Sequence, residues 1–292
     1  ITWGGNGGGL STNAVNIETS ELYIDYMIAA LDAKIRVGQQ YWADHRSLVL
    51  DDYFSGIMFS KDLAGGFKSE FAFMKILENN KNAVDDYNVF MANMQSETPF
   101  PWGVTMMGGY LADSNNGNVT LMPYFSMESG PAKLDITPFM DYQIYPGDDE
   151  MGFGVAAKAD LDMDIMQVGG DLLFATENGL TTLSPWYQNG LYIYGIGAHH
   201  DGLNLHWNTP YSGNSDSFLS AVGKVRASMV EKTTFFAAAG LVLDHGFEVN
   251  GGLEYQVIED IMSLAGYAAL GLHDSDDTFN YAVGTTLQIN FK

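Results

Sequence analysis

Charged side chains in this chain recur on alternate positions, separated by apolar ones. Lys34 and Arg36 face away from Ile35 and Val37, and Lys224 and Arg226 face away from Leu219, Ala221, Val225 and Met229. Lys133, Asp135, Asp141 and Gln143 stand opposite Leu134, Ile136, Met140 and Ile144. Lys158, Asp160, Asp162 and Asp164 stand opposite Val155, Ala157, Leu161 and Met163, and Asp171, Glu248 and Glu254 extend the series. In an extended chain a spacing of two puts every member of a run on one face. Opposed acids and bases on a shared wet surface set a transverse field that selects among ions and solutes at a constriction. The plainer reading is ion pairing in a water-wet interior. It is the better default for any single residue, because charges are mostly solvated or paired; the clusters taken together favour the field.

Other candidate chemistry is weaker. The acidic stretches Asp51-Asp52, Asp85-Asp86, Asp148-Asp149-Glu150 and Asp274 to Asp277 carry hard oxygen ligands suited to Ca²⁺. None has the spacing or central glycine of a calcium hand, so solvated loop charge is the reading. His199, His200, Asp201 and His206 are the densest histidine group, but neighbouring strand residues point to opposite faces, which argues against a metal site. Asp244-His245 and His273-Asp274 are the pairs to examine for acid–base catalysis, and neither sits in a recognisable motif. The reading is a non-enzyme without cofactor or metal.

The elements that must carry these side chains are strands. From Thr278 to Phe291, Phe279, Tyr281, Val283, Leu287, Ile289 and Phe291 occupy every second place, with Thr285 the one interruption. Asn280, Thr286, Gln288 and Asn290 fall on the other side. Such alternation marks a strand with one greasy and one wet face. Leu22, Ile24, Tyr26 and Ile28 begin the pattern, and strands are predicted over 22–28, 35–41, 49–60, 67–77, 87–94, 102–112, 119–127, 133–143, 153–161 and 163–175. The second half adds 190–197, 203–207, 218–229, 233–243, 247–255, 261–272 and 278–291. Connections alternate between tight (29–32, 230–233, 257–260) and acidic or Asn/Gly-rich (113–117, 146–150, 273–277). Pro123 and Pro138 each remove a ladder hydrogen bond from neighbouring strands, which predicts a bulge or a register change there. Residues 1–20, rich in Gly and Asn, read as loop.

Composition narrows the class. The chain has 292 residues, a net charge of −23, 13% aromatics, 33 Gly and no Cys. Excess acid argues against nucleic-acid binding, which needs basic surface. The mean hydropathy of −0.05 is too low for a bundle of membrane helices, and no apolar run nears the roughly 18 residues that a spanning helix requires. Strands alternating between lipid and water have near-neutral hydropathy. With the greasy face toward hydrocarbon the charges must point inward, since a charge at mid-membrane costs several kcal/mol.

Two segments carry a family resemblance. The hairpin Leu22-Tyr23-Ile24-Asp25-Tyr26 followed by Ile35-Arg36-Val37-Gly38-Gln39-Gln40 resembles one common in Gram-negative porins, with Gln39 where a basic residue is frequent. The C-terminal strand resembles the closing strand of outer-membrane barrels, with Lys292 following the aromatic. The resemblance implies an all-β fold, a transmembrane antiparallel β-barrel of about 16 strands, or roughly 18 if Ile1 to Trp3 is the tail of a first strand. It implies one domain over 1–292 in the bacterial outer membrane, in contact with lipid and lipopolysaccharide, with Ile1 expected to mark a trimmed N-terminus. A homo-oligomer is compatible with it. The function implied is passive diffusion of small hydrophilic solutes. The lumen is predicted to favour cations or neutral solutes, because Asp160, Asp162 and Asp164 outnumber nearby bases. The alternative is a non-conducting barrel that sheathes or anchors a partner protein. An inward-folding loop would narrow the passage, and 180–189 is the candidate. Aromatics near strand ends (Tyr41, Trp42, Phe100, Trp102, Tyr145, Trp186, Tyr187, Trp207, Tyr211) are predicted to form interfacial girdles.

Overall fold

The structure, a computed structural model, describes residues 2–3, 17–18, 21–77, 87–111, 115–194, 216–259, 261–274 and 279–289. Two short strands, β1 (Thr2–Trp3) and β2 (Ile17–Glu18), pair with each other. The next are β3 (Leu22–Ile28), β4 (Ala33–Ala43), β5 (Asp51–Leu63), β6 (Phe67–Leu77), β7 (Tyr87–Ser96), β8 (Trp102–Leu111), β9 (Asn116–Ser129) and β10 (Ala132–Ile144). They continue as β11 (Glu150–Met163), β12 (Met166–Ala175), β13 (Phe218–Val230), β14 (Thr233–Val242), β15 (Gly246–Ile258), β16 (Met262–His273) and β17 (Phe279–Ile289). Strands β3 to β17 form one 15-stranded antiparallel sheet in chain order, each bonded to the next. No helix occurs among the described residues.

A strictly sequential meander puts connections alternately at two ends. One end carries tight turns, where Asp32, Gly130, Asp164 and Lys232 adopt φ of 48°, 59°, 46° and 61°. Left-handed φ at such positions matches the twist of the flanking strands. The other end carries the longer connections, among them 145–149 and 176–217. The sorting follows the alternation expected from composition.

Burial is inverted relative to a water-soluble sheet. Tyr281, Phe279 and Leu287 are 83%, 68% and 58% exposed, while Asp141 and Glu248 are fully covered. Leu22, Ile24, Tyr26, Phe71, Phe90 and Met106 are exposed as well, and Asn93, Thr105, Asn118, Thr120 and Asn250 are buried. The greasy face is therefore the outer one and the polar face is the inner one. Hydrocarbon, not water, is the solvent that suits this surface.

Several expectations need correction. Residues 190–194 do not form a strand; the N–H groups of Tyr192, Ile193 and Tyr194 are taken by the Glu248 carboxylate and that of Leu191 by the Asn189 side chain rather than by a ladder. The strand predicted over 203–207 lies outside the described residues. The strand predicted from 49 begins at Asp51, and the one predicted from 163 begins at Met166, because Asp164 and Ile165 make a turn. Pro123 and Pro138 cause no register change. The β9–β10 pairing Phe125↔Ile136 resumes at Leu121↔Met140 in the same register, so the two prolines spend the same rungs.

Candidate functional site in the lumen

Two connections at the long-loop end fold onto the inner face. The first, 44–50, is built on Asp44. Its buried carboxylate accepts the backbone N–H groups of Arg46, Leu48, Val49 and Leu50 at 3.2, 2.9, 2.7 and 2.8 Å. Burial pushes the Asp44 carboxyl above its ordinary range, against those four donors, which favour the ionised form. With its polar backbone satisfied, the turn can present Leu48, Val49 and Leu50 to the interior, all fully buried.

The second connection, 176–194, is zipped to the first. Leu183 N–H donates to Val49 C=O at 2.9 Å, Asp51 N–H to Ser184 C=O at 2.8 Å, and Trp186 N–H to Ser47 C=O at 2.9 Å. Wall carboxylates hold the remainder. Asp141 on β10 accepts the Thr181 N–H at 2.6 Å and its hydroxyl at 2.5 Å. Glu248 on β15 accepts the N–H groups of Tyr192, Ile193 and Tyr194 at 2.7, 2.7 and 3.0 Å. Asn250 donates to Gly190 C=O at 2.9 Å, and the Tyr187 hydroxyl donates to Asp171 on β12.

Apolar side chains of the two segments pack on a methionine-rich part of the inner face. Leu48, Leu50, Leu180, Leu183 and Leu191 share one cluster with Phe54, Met58, Met74, Met91, Met107 and Met122. The inner face along β5 to β9 is therefore covered by these apolar contacts, with Asn93, Thr105, Asn118 and Thr120 buried beside them. Arg46 crosses from the first segment to the wall, donating to Asp135 and Asp171 at 3.1 Å each, with its guanidinium 5.3 Å from the centre of the Tyr187 ring. His45 Nε2 lies 2.5 Å from Asp135, and its ring stacks on Tyr124 with centroids 3.8 Å apart.

The charges singled out in the sequence divide into three groups. Asp141, Asp171 and Glu248 are on the inner face but buried, bonded to the inward segments. Arg36 with Asp25 (2.7 Å), Lys133 with Glu128 (3.1 Å), Lys158 with Asp160 (3.2 Å), Arg226 with Glu254 (3.0 Å) and Arg46 with Asp135 (3.1 Å) form ion pairs, and His45 shares the Asp135 carboxylate. Lys34, Asp162 and Lys224 are on inner-face positions of β4, β11 and β13 and form no ion pair among the described residues. Asp164 is the exception to the alternation, since it occupies the β11–β12 turn. Trp42 and Tyr187 are also corrected: both are buried inside, away from any girdle, whereas Tyr41, Phe100 and Trp186 are exposed. Trp207, Tyr211 and the 199–206 histidine group lie outside the described residues.

Sequence reasoning missed Asp44, His45 and Arg46. Their only signal was a polar Asp-His-Arg-Ser run before the apolar Leu48-Val49-Leu50, which reads as a strand start. A cavity of about 360 Å³ remains between the 188–192 stretch and the inner face of β13 to β17, with Lys224, Arg226 and Glu254 in its wall.

No protein-family model and no curated protein matches the chain. Solved structures do. The chain is similar to Pseudomonas aeruginosa OccK3 (OpdO), with a TM-score of 0.57 and 12% identity over 87% of this chain and 75% of that one. It is similar to P. aeruginosa OpdK with vanillate (TM-score 0.55, 12% identity, 88% and 76% covered). OccK2 (OpdF) of the same organism, in complex with glucuronate, matches with a TM-score of 0.53 and 11% identity over 89% and 78%. Together with the inverted burial, these likenesses give the chain the fold of the outer-membrane β-barrel porins.

Proposed function

We propose that this protein is a passive diffusion channel of the outer membrane for small hydrophilic solutes, with a preference for cations or neutral species. The observation that carries the reading is the burial pattern: apolar side chains cover the outside of an antiparallel sheet, while the inside buries acids, amides and hydroxyls beside its methionines. A barrel of about 16 strands is wide enough to hold an aqueous passage. Here the inward segments pack on the methionine-lined face of β5 to β9 and are bonded to Asp141, Asp171 and Glu248 on β10, β12 and β15, so they narrow the passage near its long-loop end.

Most lumenal bases are cancelled by a carboxylate within hydrogen-bond reach, whereas the long-loop end carries Asp52, Asp148, Asp149 and Glu150 in excess. A mouth lined by one sign of charge concentrates counter-ions and turns away co-ions. The likeness to OpdK with vanillate and to OccK2 with glucuronate supports passage of small solutes, though it extends to the fold alone. Reconstitution into planar bilayers under a KCl gradient tests the reading. Discrete current steps are expected, with a reversal potential on the cation-selective side. Clear anion preference refutes the selectivity, and an absence of steps at high protein load refutes the channel.

A further inference from the structure

The 44–50 segment reaches the wall through two neighbouring side chains of different kind. Arg46 donates to Asp135 and Asp171 at 3.1 Å each, and a guanidinium keeps its charge at any working pH. His45 can gain or lose one. Its Nε2 lies 2.5 Å from Asp135 Oδ2, and among the described residues that carboxylate is its hydrogen-bond partner. The Ser126 hydroxyl donates to the same oxygen, so Asp135 is the acceptor and Nε2 carries the hydrogen. Nδ1 is left to take up a proton, and with 24% of the side chain exposed, water can deliver it.

Protonation therefore changes the strength of this contact and not its geometry. A neutral imidazole gives Asp135 an ordinary hydrogen bond, whereas an imidazolium gives it a charge-assisted one, roughly twice as strong. The ring is positioned for both, because it stacks on Tyr124 of β9 with planes 6° apart. Other charges face the pair from every side. Lys158 on β11 stands in register between Asp135 and Asp171 and is bonded to Asp160. Tyr187 of the second inward segment shares Asp171, and Glu70 and Glu97 act on Tyr124 from beyond. Arg46 repels an imidazolium, but its own charge is divided between two carboxylates, while His45 touches Asp135 directly. Acid thus favours the docked segment. The same segment seats Leu48 and Leu50 among the methionines and holds 176–194 through the carbonyls of Ser47 and Val49.

The geometry points to His45 as a proton-operated latch on the passage. Its imidazolium fastens the 44–50 segment to Asp135 in acid, and its neutral form lets the segment loosen and the passage widen. The latch rests on the channel reading only for its effect on current. Hydrogen exchange of the 44–50 amides, measured on the full chain in detergent, reads the docking itself. His45→Gln presents a neutral donor throughout, and comparison at matched pH leaves Asp44 and Asp171 present in both proteins. The ratio of parent to His45→Gln protection is expected to rise about fivefold from about pH 8 to about pH 5, the range in which histidine changes charge. His45→Lys, charged over that whole range, should show the same relative change against the parent and serves if His45→Gln does not fold. A ratio that stays level overturns the latch. In planar bilayers the unitary current should rise with pH more steeply in the parent than in His45→Gln. Current steps with one pH response in both proteins overturn the latch and leave the channel intact. The expected exchange difference in protein that passes no current supports the latch and overturns the channel.

Discussion

Asp44 and Glu248 show how a carboxylate can serve the backbone rather than the solute. Each gathers successive N–H groups of a chain segment that has left the ladder and would otherwise bury its donors unpaired. A buried donor without an acceptor costs roughly 1–3 kcal/mol, so the loss of either acid exceeds that of one ordinary hydrogen bond. Asp44→Ala is expected to destabilise the 44–50 segment by about 3 kcal/mol, and Asp44→Asn by about 1, because the amide keeps one acceptor and burial already favours the uncharged form. Limited proteolysis near Arg46, run beside heat-modifiability on gels, checks the order Ala worse than Asn. Arg46 is the complement of these acids, a buried cation answered by Asp135 and Asp171.

The two inward connections behave as one element, because each supplies what the other lacks. The 44–50 turn lends its carbonyls at Ser47 and Val49, and the 176–194 segment lends the N–H groups that fill them. Their leucines then share the methionine-lined seat on β5 to β9. Unbranched thioether side chains fill the irregular gaps between a regular wall and an irregular segment. Leu50→Asp places a charge in this dry contact and is expected to release both segments, at a cost of several kcal/mol. The check is conductance: the variant should pass larger unitary currents than the parent, whereas Leu50→Met should match it. An unchanged step size in a folded Leu50→Asp variant would mean that the segments do not limit the passage.

For the molecule as a whole, stability depends on which solvent meets which face. Phe71 lies near the middle of β6 on the outer side and is more than half exposed. Phe71→Arg is expected to weaken folding into lipid vesicles by ~2–4 kcal/mol, and Phe71→Leu to change it little. Urea titration of the reconstituted protein measures both; a stabilising or neutral arginine would sink the lipid-facing assignment. The strand directions add a second point. In a sheet that alternates throughout, β3 and β17 run the same way, and an antiparallel seam between them takes one more strand of opposite sense, in keeping with an even count.

Period-two alternation was readable along nearly the entire chain, since side chains on a strand know only two directions and each direction met a different solvent. That made the strands of β3 to β17, their outer face and the ends at which turns and loops fall visible before any coordinates. The same parity puts Lys158, Asp160, Lys224 and Glu254 on the face opposite the exposed apolar side chains, and 180–189 reads as a candidate inward loop. Which carboxylates would face water was not legible. Asp141 and Asp171 look the same in one dimension as Asp160 and Asp162, and they differ only in whether a distant segment comes to rest on them. The 44–50 turn gave no periodic signal, because its conformation depends on four N–H groups converging on one side chain and on a partner more than a hundred residues away. Local pattern reports the solvent on each face of a strand; contacts between segments far apart in the chain decide how much of the inner face is left to water.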